Sequence, residues 1–107
     1  MMYGLPGDGV QSGPADGHSV EVDPSEVIAG KDSYVFRIVG LSNIAVDVQY
    51  RLNESPAIEM FTTQLDAQGR VKFKVSSATR KGFYRFIGFR ISGTNKWIGS
   101  DTSIIVR

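Results

Sequence analysis

The stretch that decides the fold is TRKGFYRFIGFRI, residues 79–91. Successive side chains of a β-strand point to opposite faces, so a strand with one buried face alternates apolar and polar residues. This stretch does not alternate, because Tyr84 and Phe86 would point to one face while Ile87 and Phe89 would point to the other. The pattern predicts a strand with two apolar faces, the second of which is covered by another part of the chain or by a ligand.

Other short strand-like segments, separated by Gly, Pro, Asp and Asn, lie on either side of this stretch. Residues 44–52 show the cleanest alternation, with apolar side chains at the even positions and Asp47, Gln49 and Arg51 among the outward residues. No window shows a helical period. About seven such strands predict an all-β chain that folds as an antiparallel β-sandwich.

One turn is specified by its sequence. Residues 66–69, DAQG, suit a type I turn followed by a glycine in the left-handed region. We expect this turn to close a hairpin in which Asp66 pairs with Arg70 and Phe61 with Val75. The apolar residues of both strands then share one face, and the basic residues, Arg70, Lys72 and Lys74, form a solvated face that protects an edge strand.

Composition excludes several classes of function. The 107 residues suit one domain, and 12 basic against 11 acidic side chains give a net charge of +1, which argues against nucleic acid and against a charged membrane surface as partners. The absence of cysteine removes disulfides, thiol catalysis and Cys-based zinc sites, and one histidine, His18, cannot make a histidine-rich metal site. We therefore predict no enzyme activity, no cofactor and no metal; the acidic residues near the N-terminus match no calcium loop that we recognise (Glu21, Asp23, Glu26 and Asp32).

The chain divides at about residue 18. Residues 1–17 are rich in Gly, Pro and Asp and lack periodicity, which predicts a disordered linker or an expression remnant. Residues 18–107 are expected to form the folded domain.

The segment Gly82-Phe83-Tyr84-Arg85-Phe86 resembles the corner of an immunoglobulin-like sandwich, where a tyrosine near the start of the sixth strand hydrogen-bonds back to the chain. In that resemblance Phe86 stands where antibody domains have a cysteine, and Phe36 faces it from the second strand. Together with residues 65–73, LDAQGRVKF, the segment makes the domain similar to bacterial immunoglobulin-like modules that are appended to secreted glycoside hydrolases and surface proteins. The resemblance implies a secreted or extracellular bacterial protein with a covalently linked catalytic domain.

The chain departs from antibody domains in its single tryptophan. The third strand carries Val46 and Val48 where antibodies have a tryptophan, and Trp97 lies instead on the last hairpin, where counting along the strand places it outward with Phe89. Aromatic rings stack on the apolar C–H faces of pyranose rings, and polar side chains bond the hydroxyls. The predicted carbohydrate-binding residues are Trp97, Phe89, Asp47, Gln49, Arg51 and Arg85. The alternative is that Trp97 plugs the end of the sandwich and that Phe89 is covered.

Two functions remain open at this point. The first is a monomeric, non-catalytic carbohydrate-binding module that recognises a β-glucan or related plant polysaccharide and targets a linked glycoside hydrolase, as the resemblance implies. The second is a structural immunoglobulin-like spacer or a protein-interaction domain of a multidomain secreted bacterial protein. Both readings depend on which side chains the outward sheet face exposes.

Overall fold

The computed structural model describes residues 18–107 and, before them, two short strands, β1 (Leu5–Pro6) and β2 (Asp8–Gly9), which pair with each other in parallel. The other residues before His18 lie outside the described part of the chain. The prediction of a disordered linker or remnant over residues 1–17 falls mainly on them.

Residues 18–107 form eight strands in two sheets. These strands are β3 (Val20–Asp23), β4 (Glu26–Val27), β5 (Ser33–Ile38), β6 (Ala45–Leu52), β7 (Glu59–Gln64), β8 (Arg70–Lys74), β9 (Gly82–Ile91) and β10 (Ile98–Val106). The sheet orders are β4-β10-β9-β6-β7 and β3-β5-β8, and the pairs are antiparallel except that β4 runs parallel to β10. The predicted all-β, sandwich-like fold is confirmed, with one strand more than the seven expected. Within the described residues no helix could cross a membrane.

The two sheets pack face to face around one apolar core. Phe36 of β5 and Phe86 of β9 are both buried and meet edge to face, with ring centroids 5.4 Å apart. Edge-to-face packing is a preferred geometry for aromatic pairs. The buried hydrophobic residues are Val27, Phe36, Ile38, Val46, Val48, Leu65, Val75, Phe86, Phe89, Ile98, Ile104 and Val106.

A β-bulge in β9 explains why residues 79–91 do not alternate between apolar and polar. Two consecutive residues of β6 pair with Gly88 and Phe86, which leaves Ile87 as an extra residue between them. An extra residue resets the alternation of a strand, so that residues on either side of it reach the same face. Phe86 and Phe89 are accordingly both in the core, 2% and 0% exposed. The prediction that Phe89 points outward is therefore wrong, and its ring is covered by the protein's own interior.

The turn at residues 66–69 forms as predicted. The amide of Gly69 donates to the carbonyl of Asp66 at 3.0 Å, the amide of Asp66 donates to the carbonyl of Arg70 at 3.0 Å, and Gly69 has a φ of +75°. The hairpin prediction is wrong, because β7 pairs with β6 whereas β8 pairs with β5 in the other sheet. Phe61 and Phe73 therefore face each other across the sandwich, with ring centroids 5.6 Å apart.

The basic residues of β8 lie where a solvated edge was expected. β8 is the last strand of the three-stranded sheet, and Arg70, Lys72 and Lys74 are exposed. Lysine on an edge strand discourages pairing with a further strand. These side chains therefore have a structural explanation.

Candidate functional site

Trp97 lies in the loop between β9 and β10 and is 37% exposed. The chain reverses just before it, where the amide of Thr94 donates to the carbonyl of Ile91 at 3.0 Å and Gly93 has a φ of +89°. One side of the indole is covered by Arg90, whose guanidinium carbon lies 4.5 Å from the ring centroid. A cation over an aromatic face is attracted by the ring quadrupole, so Arg90 restrains the indole.

Asp47 holds Arg90 in this position. Its Oδ2 accepts a hydrogen bond from Nε of Arg90 at 2.8 Å, and its Oδ1 accepts from the hydroxyls of Thr62 at 2.7 Å and Ser92 at 2.8 Å. These three bonds lower the pKa of Asp47 to about 2, those from Arg90 and Thr62 being the larger causes. Asp47 as a whole is only 7% exposed, so its carboxylate positions Arg90 and offers little to a ligand. We call Asp47, Arg90 and Trp97 the indole platform.

A strip of bare backbone lies next to the indole platform. Gln49 of β6 pairs with Gly88 of β9, and Gly88 pairs with Gly99 of β10, so two neighbouring strands lack a side chain at the same level. A Cβ atom at Gly88 would lie 3.0 Å from the carbonyl oxygen of Ile98, whereas one at Gly99 would meet nothing within 4 Å. Gly88 is buried against this carbonyl, so of the two glycines only Gly99 is exposed to another molecule.

Arg51 and Arg85 lie beyond this strip, opposite each other on β6 and β9. Arg51 donates to the carbonyls of Ser55 and Pro56 at 3.1 and 2.8 Å and thereby holds the loop after β6. The guanidinium nitrogens of Arg85 lie 3.9 Å from a carboxylate oxygen of Glu54 and 3.7 Å from one of Asp101. The side chain of Asp101 is largely exposed. Its Nε atom is buried and has no hydrogen-bond partner among the described residues.

The structure thus brings together part of the predicted set. Asp47 and Trp97 meet through Arg90, and Gln49 lies next to Asp47 on the same face of β6. Arg51, with Arg85 opposite it, lies about 13 Å from Asp47 along β6, at ~3.3 Å per residue. Phe89 is absent from this face. Sequence reasoning missed Arg90, Gly88 and Gly99; two glycines inside strands of a hairpin were the available signal.

A second feature was not predicted at all. At the end of the sandwich where β9 begins, a cavity of about 390 Å³ opens between the two sheets. Its walls carry five half-buried rings, which we call the aromatic cleft: Tyr34, Tyr50, Phe61, Phe73 and Tyr84. The buried ring of Phe86 also borders it. The alternation of the strands does not show that the space between these rings is unfilled.

Among residues 18–107 no group of three or more His, Asp or Glu side chains could hold a metal ion. No protein-family model matches the chain, and searches of curated proteins and of solved structures found no match. Function is therefore inferred from the geometry of the chain itself.

Proposed function

We propose that residues 18–107 form an immunoglobulin-like sandwich that serves as a non-catalytic carbohydrate-binding module, recognises a β-glucan or related plant polysaccharide, and targets a linked glycoside hydrolase in a secreted bacterial protein. The observation that carries the proposal is the half-exposed indole of Trp97, restrained by Arg90. A ring that is held in place loses little further freedom when a ligand stacks on it. Binding by such a module raises the concentration of substrate near the tethered enzyme.

Three observations support the immunoglobulin-like assignment. The first strand region contributes to both sheets, because β3 pairs with β5 while β4 runs parallel to β10. The hydroxyl of Tyr84 donates to the carbonyl of Arg80 at 2.5 Å, as a corner tyrosine would. The rings of Phe36 and Phe86 meet across the two sheets with centroids 5.4 Å apart, as residues at the positions of an inter-sheet disulfide would.

The proposed mechanism uses the outward face of the five-stranded sheet. A sugar ring stacks on the exposed part of Trp97, and the chain of the glycan continues over the exposed backbone at Gly99. Gln49 offers an amide donor and acceptor beside the bare strip, and the partly exposed guanidinium of Arg85 carries N–H donors for a hydroxyl further along. Asp47 acts by holding Arg90 and does not need to touch the glycan.

Affinity electrophoresis against soluble β-glucans, xylan and an unrelated glycan tests this proposal. The unchanged domain should be retarded by at least one plant polysaccharide, and Trp97→Ala should weaken binding roughly tenfold or more, since buried aromatic anchors carry much of a binding energy. Ile28→Ala is the matched control, because Ile28 is also exposed but follows β4 beside the last residues of β10, at the opposite end of that strand from Trp97. Equal retardation of both variants, or none of the parent domain, would refute the proposal.

Exposed apolar side chains favour the second candidate, a structural spacer or protein-interaction domain. Met60 on edge strand β7 and Ile58 just before it are about half exposed, and Met60 pairs with Gln49 beside the bare strip. Contiguous exposed apolar surface commonly marks a protein contact. Sedimentation analysis that shows a dimer weakened by Met60→Ser, together with no glycan binding, would establish this candidate.

A further inference from the structure

The aromatic cleft is formed by both sheets, which gives it two apolar walls. Tyr34 and Phe73 come from the three-stranded sheet and pack with centroids 5.3 Å apart. Tyr50 and Tyr84 come from the five-stranded sheet, with centroids 5.7 Å apart, and Phe61 joins the two groups. A flat molecule between these walls would be in contact on both of its faces.

Most polar groups around the cleft are already bonded to one another. Arg80 donates to Oε1 of Glu59 at 2.6 Å, and the hydroxyl of Tyr50 donates to the same oxygen at 3.1 Å. The hydroxyl of Tyr84 donates to the carbonyl of Arg80. These bonds link β6, β7 and the loop before β9, so the mouth of the cleft is built in advance of any ligand. They also leave no unpaired charge at the mouth.

Tyr34 is the exception. Within the described residues its hydroxyl has no hydrogen-bond partner, although the ring is half-buried and lines the cleft. Burial raises the pKa of Tyr34 to about 12, with smaller contributions from the neighbouring Tyr84 and Tyr50. The hydroxyl therefore stays protonated at ordinary pH and keeps one O–H donor for a molecule in the cleft.

The aromatic rings and the hydrogen bonds around the cleft restrict the chemistry of a ligand that could bind there. A cavity of about 390 Å³ falls within the usual range of small-molecule sites, ~300–1,000 Å³, which are mainly apolar with a few placed polar groups. A sugar would bring several hydroxyls between walls made of five aromatic rings, of which only Tyr34 has a hydroxyl without a partner among the described residues, and each unbonded hydroxyl would cost free energy. An ion would lose its hydration without finding a free counter-charge.

The geometry points to the aromatic cleft as a binding site for a neutral, flat aromatic molecule that carries a hydrogen-bond acceptor, such as an aryl ketone, with Tyr34 as the donor. The site is separate from the indole platform and does not depend on the proposed glycan binding. The two aromatic walls supply the contact area, and the single free hydroxyl supplies the preference for an acceptor.

Two probes of nearly the same shape test the inference. Titration of the ¹⁵N-labelled chain with 2-acetonaphthone, followed by NMR, should shift resonances around Tyr34, Phe73, Thr79 and Tyr84. The hydrocarbon 2-ethylnaphthalene, which lacks the carbonyl, should bind more weakly. Tyr34→Phe should lower the affinity for the ketone about three- to tenfold, the value of one hydrogen bond, and leave the hydrocarbon unchanged.

Two further variants separate the possible results. Ala78 is exposed and lines the cleft, so Ala78→Trp should fill its mouth without disturbing the core and should abolish the shifts from both probes. Trp97→Ala should leave both titrations unchanged, whatever it does to glycan binding. Absence of shifts in the cleft, shifts around Trp97 instead, or an equal loss of both probes in Tyr34→Phe would overturn the inference.

Discussion

The indole platform and the aromatic cleft present aromatic rings in opposite ways. The platform is a single exposed ring whose position is set by a cation and a carboxylate on one sheet. The cleft has five rings from both sheets, restrained mainly by packing on each other. The difference shows two ways to leave an aromatic ring accessible to a ligand. A ring can be held at the surface by hydrogen-bonded charged groups, or it can line a space between the sheets that the core side chains do not fill.

The same contrast separates the two ends of the core. Toward the end where Trp97 lies, Phe89, Ile98 and Val46 close the space between the sheets and are nearly inaccessible. Toward the other end, the rings of the aromatic cleft stay half-exposed. Stability should therefore depend far more on rings at the closed end than on either candidate site.

The largest expected effect distinguishes Phe89 from Trp97. Phe89→Ala should lower the free energy of unfolding by about 3–5 kcal/mol, because it leaves a cavity in a closed core. Trp97→Ala should cost less than about 1 kcal/mol, since a surface change away from a buried network has a small effect. Urea denaturation of both variants checks the difference. Similar losses of unfolding free energy in the two variants would contradict the assignment of Phe89 to the closed core.

The next effect compares two tyrosines within the aromatic cleft. Tyr84→Phe removes the bond to the carbonyl of Arg80 and should cost about 1 kcal/mol. Tyr34→Phe removes a hydroxyl without a partner among the described residues and should change stability by less than about 0.5 kcal/mol. Thermal unfolding of the two variants measures both values. A larger loss for Tyr34→Phe would show that its hydroxyl is already bonded in the free protein.

The smallest effect concerns the acid behaviour of the indole platform. The pKa of Asp47 is lowered from 3.8 to about 2 in the folded state, so its contribution to stability is complete above pH 4 and is lost as the pH falls through about 2. Asp47→Asn should therefore show a shallower loss of stability than the parent between pH 4 and pH 2.

Glu59 and Asp66 also have lowered pKa values, so the informative quantity is the difference between Asp47→Asn and the parent. Stability should be followed by urea unfolding at each pH, with the fluorescence of the single tryptophan as the signal. Parallel curves for the two proteins would contradict the role of Asp47 in holding Arg90.

Local patterns in the sequence were sufficient for much of the fold. The alternation over residues 44–52 correctly buried Val46 and Val48, and the DAQG turn formed with Gly69 in the left-handed region. Both predictions rest on interactions within a few residues, which the local sequence specifies.

The wrong predictions concern long-range pairing. A turn followed by inward apolar residues fits both a hairpin and a crossing between sheets, because Phe61 and Phe73 point to the core in either case. The bulge at Ile87 depends on how β9 pairs with its neighbours, which the order of residues in one strand does not reveal. The aromatic cleft depends on how well inward rings fill a volume, and no sequence pattern reports that.

The bulge at Ile87 has a consequence for how this strand could change by insertion or deletion. β9 is the middle strand of its sheet, and its residues after the bulge send Phe89 to the core and Arg90 to the surface. Loss of the single codon for Ile87 would remove only the extra residue, so that Phe86, Gly88, Phe89 and Arg90 would alternate strictly and keep their present partners on β6. Phe89 would keep its place in the core and Arg90 its place at the surface, so this strand can lose one residue at the bulge without turning either side chain over.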